Sequence, residues 1–450
     1  MKSESEPHSR FASYVSRLKM TSTYRIIVTG LIAQHPWMGG VTWDYLQYAV
    51  GLNRLGHDVY YFEDSGEWPY TVDGGPSGNE WIARDCSHNV EYLAKVMSRF
   101  GLADKWAYHF PIDSQWFGLP DSERRAVIES ADLLINVSGT LVRPQEYRRV
   151  RRLVYVDSDP AFTQIKTQLD RGQDGFRARV DAHDVFFSFG EHFSSAVPET
   201  GHNWRPTRQP ILLSEWHSST PARAVYTTVM NWTSYKPLCY AGHFYGQKDV
   251  EFKRYLELPE KVYPIELEVA LSKLQHTDWQ TDIDRLPDRA RQKILQEAPS
   301  TPADLLACLG WRVVNATEVC SDLDRYRRYI ESSKAEWSVA KNGYVVTQPG
   351  WFSCRSACYL AAGRPVVVQD TGFSAALPVG EGILSFKTVE EAIAQIHNVQ
   401  ENYERRSKAA RAIAEEYFDS DKVLSRLVDQ AWSGDVGDIH QPRHASGHSR

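Results

Sequence analysis

Two successive series of short apolar runs, separated by helical patterns, constrain the fold of this chain more than any other feature. In the first series the runs occupy residues 25–29, 57–62, 106–110, 133–137, 153–156 and 185–189. In the second they occupy residues 224–229, 311–314, 344–346, 365–368 and 383–385. Runs that are apolar throughout indicate strands buried on both faces, and helices between them indicate parallel connections. The sequence therefore predicts an α/β protein with two doubly wound, Rossmann-like domains that face a cleft.

The chain also divides at a polar segment between the two series, SEWHSSTPAR over residues 214–223. A chain of 450 residues exceeds the roughly 250–300 residues at which single cores stop growing. We expect a hinge near residue 220. The expected units are a loose arm over 1–22, an N-terminal domain over 23–215, a C-terminal domain over 216–432 that ends in helices, and a loose tail over 433–450. The less regular part over 235–300 predicts helices and loops near the cleft.

Charge and cysteine content narrow the function classes. The chain has 51 Lys and Arg residues and 57 Asp and Glu residues, so its net charge is −6. This acidic balance argues against a dedicated nucleic-acid binder. The sequence shows neither the apolar core of a secretory signal nor a run of 18 apolar residues, so we expect a cytoplasmic protein without a membrane span. The six Cys residues form no CxxC pair, which predicts free thiols and no metal site.

The loop after the first predicted strand carries the first candidate site. Gly39 and Gly40 directly precede an amphipathic stretch over 41–55 that predicts a helix. Backbone amides at a helix start, uncovered by Cβ atoms, favour an anion or a hydroxyl. The pattern is not GxGxxG and no P-loop Lys follows. His35 lies in the same loop, where it is either a candidate base or a histidine that is hydrogen-bonded within the loop.

A second loop and helix start carry more polar groups. The loop over 348–353 leads into a predicted helix whose first turn contains Arg355 and Ser356, which can meet phosphate oxygens beside open backbone amides. An Arg at a helix start opposes the helix dipole, so Arg355 is expected to have an anionic partner. Asp370 follows the predicted strand over 365–368 and is expected to point at the same space.

Two further candidates follow strands at the cleft. Asp157 and Asp159 form a D-x-D in the segment VYVDSDP. This motif can hold a divalent metal, but the two-domain pattern argues against that interpretation. We expect Asp157 to project into the cleft as a general base and Asp159 to cap a helix that begins near Pro160. Lys236 and Lys248 follow the first strand of the second series and are either phosphate ligands or solvated lysines.

Both loop segments resemble parts of GT-B-fold glycosyltransferases. The first has the strand, the Gly-Gly loop, the long helix and the step Gly56-His57-Asp58-Val59. The second has CYLAAGRPVV, from Cys358, in place of the usual E-A-x-A-x-G-x-P-V-V, and Gly350-Trp351-x-Ser353 resembles a plant-type donor box. The retaining branch carries acids where this chain has Cys358 and Gly350. The resemblance therefore implies a donor that is held differently, with Asp370 on a sugar hydroxyl.

The resemblance implies transfer of a sugar from a nucleotide-diphosphate sugar to a hydroxyl of a small-molecule or glycan acceptor. The N-terminal domain would bind the acceptor and the C-terminal domain the donor, which is a co-substrate, and no cofactor would be obligatory. The base would be His35 or Asp157. The donor would be bound by Gly39, Gly40, Lys236, Gly350, Trp351, Ser353, Arg355, Ser356 and Asp370. The alternatives are a nucleotide-sugar epimerase of the same fold and a non-catalytic sugar- or nucleotide-binding protein.

Overall fold

The computed structural model describes residues 22–71, 82–272, 286 and 288–433. These residues form two separate large sheets, one from each predicted series of strands. The expected loose arm and tail lie outside the described residues, apart from residues 22 and 433.

The first sheet has eight strands in the order β4-β3-β2-β1-β5-β6-β7-β8. The strands are β1 Arg25–Thr29, β2 Asp58–Glu63, β3 Trp106–Phe110, β4 Gln115–Gly118, β5 Leu133–Val137, β6 Arg152–Asp157, β7 Val185–Ser188 and β8 Trp204–Pro206. All pairs are parallel except β3 with β4. Its helices are α1 Gly39–Arg54, α2 Ser87–Arg99, α3 Asp121–Ser130, α4 Phe162–Leu169 and α5 Phe176–Asp181. The central strand β1 is buried on both faces because Ile26 and Val28 pack into one core and Ile27 into another.

The second sheet has six parallel strands in the order β13-β12-β9-β14-β15-β16. They are β9 Val225–Met230, β12 Glu266–Leu271, β13 Arg312–Asn315, β14 Ala335–Ser338, β15 Val366–Gln369 and β16 Ile383–Phe386, and a separate hairpin pairs β10 Leu238–Tyr240 with β11 His243–Tyr245. The helices are α6 Lys248–Phe252, α7 Leu258–Lys261, α8 Asp288–Glu297, α9 Pro302–Cys308, α10 Ala316–Val319, α11 Leu323–Ser332, α12 Asn342–Thr347, α13 Cys354–Ala361, α14 Val389–Glu401, α15 Tyr403–Tyr417 and α16 Ser420–Trp432.

Each sheet has a point where the strand order reverses, and both points lie at the cleft. The reversal falls between β1 and β5 in the first sheet and between β9 and β14 in the second. Open α/β sheets bind ligands outside the carboxyl ends of the strands at such points. Ser138, which follows β5, and Asn231, which follows β9, both line the interdomain cavity. The fold therefore directs two ligand-binding edges at one space.

The two halves meet along α1, the first helix of the N-terminal half. The N–H of Gly39 donates to the carbonyl of Cys320 (2.9 Å), and the indole N–H of Trp43 donates to the carbonyl of Leu323 (2.8 Å). The last helix, α16, also packs on α1. The expected domain boundary at 215/216 stays a prediction, since α16 contacts the first half of the chain.

The sequence prediction is wrong at residues 344–346, and it misses β12 and β14, two strands that each contain a buried acidic residue. Residues 344–346, predicted as a strand, belong to α12. The strand beside β9 is β14, whose Glu336 made the segment look polar although it is fully buried against Arg355. In the same way, β12 lies inside the part predicted as helices and loops, because Glu266 and Glu268 interrupt its apolar residues. The remaining predicted strands are confirmed within about one residue. Among the described residues no helix is long and apolar enough to cross a bilayer.

Candidate active site

A cavity of about 500 Å³ lies between the two halves, and we call it the cleft cavity. One wall comes from the loops and helix starts of the first sheet, the other from those of the second. The first wall includes Trp37, Gly39, Gly40, Asp44, Tyr45, Ser138, Tyr155, Asp159 and Lys166. The second includes Met230, Asn231, Lys248, Tyr326, Lys341, Tyr344, Trp351, Ser353 and Arg355. The cavity thus has the location that the sheet topology predicts for a ligand site.

Helix α13 begins at the cleft cavity with open backbone donors. Its N-cap residue Ser353 makes no side-chain capping bond, and the bond from the Ala357 N–H to the Ser353 carbonyl (3.1 Å) closes the first turn. The amides of residues 354–356 precede that bond and have no acceptor within the helix. This end of α13 therefore presents N–H groups and a hydroxyl at a wall of the cavity, and such donors can bind an anion.

Arg355 has its expected anionic partner inside the protein. Its Nε donates to Glu336 (2.5 Å), and its two terminal nitrogens donate to the Val229 carbonyl (2.8 Å) and to Ser338 (2.7 Å). Glu336 is fully buried, whereas the Arg355 side chain is 12% exposed and lines the cavity. Burial opposes the charge of Arg355, but Glu336 outweighs it and raises the pKa of the guanidinium. Arg355 is therefore a fixed cation at the start of α13.

Two lysines extend this positive region along the second wall. Lys248, at the start of α6, has neither a hydrogen bond nor an ion pair with any described residue, and burial together with Arg355 and Lys341 lowers its pKa well below the usual range. Lys341 contacts Asp159 across the cleft (2.9 Å). Burial lowers the pKa of Lys341, although Asp159 opposes the shift. The second wall thus places three basic side chains at the cavity, and no Asp or Glu is among the described residues that line this wall.

Asp159 closes the cavity at one side by joining the two halves. Its carboxylate accepts hydrogen bonds from Lys341, from Tyr235 (2.5 Å) and from Tyr344. Burial alone would raise the pKa of Asp159, but the nearby lysines and these hydroxyls bring it below the usual value. The expectation that Asp159 caps a helix is wrong, because α4 begins at Phe162 and its N-cap residue is Ala161.

The two predicted bases lie outside the cavity lining. His35 stacks on Tyr70, with ring centroids 5.0 Å apart, and burial lowers its pKa to about 4. Both oxygens of Asp157 are engaged, since they accept bonds from Thr163 (2.6 Å) and Ser188 (2.8 Å) and from two further donors. Burial raises the pKa of Asp157, and these bonds oppose the shift. Asp157 holds together the turn after β6.

The predicted donor ligands divide into two groups. Gly39, Gly40, Trp351, Ser353 and Arg355 line the cavity, and the Trp351 ring stacks on Tyr344 with centroids 4.3 Å apart. Outside the lining are Lys236, Gly350, Ser356 and Asp370.

The residues of the second group have other surroundings. Lys236 is exposed, and Ser356 is buried in the first turn of α13. The carboxylate of Asp370 accepts from the N–H of Gly372 (3.0 Å) and the hydroxyl of Ser374 (2.8 Å), so it stabilises a turn. Gly350 has a φ of +80° beside the backbone of Glu191, a position that favours glycine.

Sequence reasoning missed Asp44, an acid on the cavity wall. It lies in the second turn of α1, and its carbonyl accepts a bond from Gln209 (3.0 Å). Burial raises the pKa of Asp44 to about 7, although Arg355 opposes the shift. A single Asp in an amphipathic helix reads as a surface residue. The only available signal was its place five residues after Gly39, at a helix start already assigned to the cleft.

Comparisons with known proteins agree with this geometry. Residues 289–429 match the family model Glyco_trans_1_2, described as glycosyl transferase-like. An alpha-glucosyltransferase in complex with UDP and mismatched DNA superposes with a TM-score of 0.53 at 12% identity, over 90% of this chain and 98% of that one. Anabaena HepE in complex with UDP and glucose gives 0.51 at 10% identity, over 91% and 100% of the chains. No curated protein sequence matches the chain.

The architecture is therefore that of the GT-B glycosyltransferases. With the glycosyl transferase-like domain in its second half, the protein is a glycosyltransferase of the GT-B fold, and that prediction is confirmed.

Proposed function

We propose that the protein transfers a sugar from a nucleotide-diphosphate sugar, bound on the second wall of the cleft cavity, to an acceptor hydroxyl on the first wall. The observation that carries this assignment is the combination of Lys248 and the open start of α13 on one wall. Their chemistry suits a diphosphate, which is the group that leaves when the sugar is transferred.

The charge balance of the second wall supports a diphosphate. Lys248 has no acid partner among the described residues, and burial disfavours its ammonium form. A diphosphate beside Lys248 would supply the missing negative charge and would also accept the α13 amides. Arg355 adds a cation that Glu336 already fixes in place. Preorganised donors of this kind stabilise the charge that develops on a leaving group.

The first wall supports a different kind of ligand. Its apolar part includes Trp37, Tyr45, Val137, Tyr155 and Phe176. Aromatic faces bind flat or amphipathic surfaces, including the C–H faces of sugar rings. We assign this wall to the acceptor. Solved neighbours of this fold contain UDP, and the alpha-glucosyltransferase also contains DNA. UDP-sugars are therefore the first donors to test. The expectation that this chain does not bind nucleic acid stays a prediction.

Calorimetric titration with UDP, UDP-glucose and uridine tests the assignment. Lys248→Ala should weaken binding of UDP by roughly 1.5–3 kcal/mol, the range for a hydrogen bond to a charged group, and leave uridine binding unchanged. Lys236→Ala is the matched control, because Lys236 is exposed and outside the cavity lining. Equal effects of the two variants would contradict the proposed diphosphate site.

Turnover separates the proposed activity from the alternatives. Release of UDP from UDP-glucose, with water or an added acceptor, is expected for a glycosyltransferase. Donor binding without any product would indicate a binding protein, and a changed sugar that is still attached to UDP would indicate an epimerase.

A further inference from the structure

Two acids line the cleft cavity among the described residues, Asp44 and Asp159. The carboxylate of Asp159 is fully engaged by Lys341, Tyr235 and Tyr344. The carboxylate of Asp44 has neither a hydrogen bond nor an ion pair with any residue in the described part of the chain. Asp44 is therefore the acid on the cavity wall whose oxygens are available to a ligand.

Asp44 faces the start of α13, where we place the donor diphosphate. The guanidinium of Arg355 is close enough to lower the pKa of Asp44, but its nitrogens bond to Glu336, Ser338 and the Val229 carbonyl instead. The carbonyl of Asp44 is fixed by Gln209 (3.0 Å). An acceptor hydroxyl between Asp44 and α13 would thus have a free carboxylate on one side and the donor on the other.

The groups around Asp44 leave its carboxylate as the proton acceptor. Burial raises its pKa to about 7, and Arg355 alone lowers it. The other titratable groups that face it are the thiols and phenols Cys354, Cys358, Tyr45, Tyr48 and Tyr326. Burial raises the pKa of each of these groups above its ordinary value, so all of them stay neutral near pH 7. Asp44 ionises as the pH rises through about 7, so its carboxylate form is present in the pH range where a general base is needed.

We infer that Asp44 is the general base of the transfer and takes the proton from the acceptor hydroxyl. This inference rests on the proposed function. The acceptor oxygen forms a bond to the anomeric carbon, the bond from that carbon to the diphosphate oxygen breaks, and the electron pair leaves with the nucleotide diphosphate. The acceptor proton goes to an Oδ of Asp44. A base on the opposite side of the sugar from the leaving group inverts the configuration at the anomeric carbon, so this role of Asp44 predicts an inverting transfer.

The test compares Asp44→Asn with His35→Gln, which replaces one of the two bases expected from the sequence. Hydrolysis of UDP-glucose is the assay, because water as acceptor needs the same base. Asp44→Asn should lower kcat by about 10²–10⁴-fold, the usual contribution of a general base, and leave the Kd of UDP within about twofold. His35→Gln should keep most of the activity, since His35 lies outside the cavity lining.

Two further readouts separate a base from a merely structural residue. The kcat/KM of the wild type should rise with pH through about 7, and residual activity of Asp44→Asn should lose that rise. Early product observed by proton NMR should be the β-anomer of glucose. Asp44→Asn with more than a tenth of wild-type kcat, or an early α-anomer, would overturn the inference.

The failure of this inference differs from the failure of the proposed function. A wild type that neither binds UDP nor releases it from UDP-glucose refutes the proposed function itself. A wild type that turns over, but forms the α-anomer or does not depend on Asp44, refutes only the role of Asp44. Should Asp44→Asn not fold, the pH profile and the product anomer of the wild type decide the question.

Discussion

Replacing Asp44 with Asn should stabilise the protein, and the gain should grow with pH. The unbound cavity holds the Asp44 carboxylate where burial raises its pKa from 3.8 to about 7. An acid whose pKa is higher in the folded state destabilises that state wherever it must ionise. Below about pH 4 both states are protonated and the penalty vanishes. The penalty grows between about pH 4 and 7 and is complete above about pH 7.

The size of the effect follows from the pKa difference. A rise of about three pH units corresponds to roughly 4 kcal/mol at 1.36 kcal/mol per unit. Asn resembles the neutral carboxylic acid and does not ionise, so Asp44→Asn removes the penalty. By linkage the gain should be about 1–2 kcal/mol at pH 5 and roughly 4 kcal/mol at pH 8.

Urea denaturation of the wild type and Asp44→Asn at pH 5, 6, 7 and 8 measures this gain. The difference between the two midpoints should widen steadily across the series, with unchanged m-values. A gain that is independent of pH would mean that Asp44 has an ordinary pKa and that Asn stabilises for another reason. A loss of stability at pH 8 would mean that the carboxylate has a partner that stabilises it.

Three other substitutions test separate parts of the structure. Gly39→Ala should lower the melting temperature and weaken donor binding, because the added Cβ would lie 2.1 Å from the carbonyl oxygen of Asp322 and push the two halves apart. An unchanged melting temperature would contradict that close approach. Asp157→Asn should lower the free energy of unfolding, measured by urea denaturation, by about 1–3 kcal/mol, since a buried acceptor of several hydrogen bonds is lost. Its affinity for UDP, measured by calorimetry, should equal that of the wild type, and a weakened affinity would place Asp157 in the site. Arg355→Ala should lower the free energy of unfolding by about 3–5 kcal/mol, because it leaves the buried carboxylate of Glu336 without a partner. The double variant Arg355→Ala with Glu336→Gln should recover part of this loss, and no recovery would refute the explanation.

The sequence predicted the architecture well because the information is local. Strands such as residues 133–137 are apolar throughout and directly predict a parallel, doubly covered sheet. The prediction failed where a charged residue enters the core. Glu336 is paired with Arg355, and Glu268 with Arg223, and in both pairs the arginine comes from a different structural element. That pairing depends on the tertiary structure, so the sequence pattern alone cannot show it.

The site was predicted only in part for a related reason. Positions at helix starts, such as Gly39 and Ser353, follow from the order of strands and helices, and they line the cavity. Asp157 and Asp370 were chosen because they end strands, but their oxygens are used by neighbouring turns. Asp44 was missed because the second half of the chain, packed on α1, turns a helical surface position into a cavity wall.

A crystal structure with bound UDP tests the central claim most directly. We predict that the diphosphate lies in the cleft cavity, with oxygens within hydrogen-bond distance of Lys248 Nζ and of the amides of residues 354–356. The position of the outer phosphate would then also show how far Asp44 lies from the reacting carbon. A diphosphate bound elsewhere on the protein, or one in the cavity that contacts neither Lys248 nor the start of α13, would contradict the account.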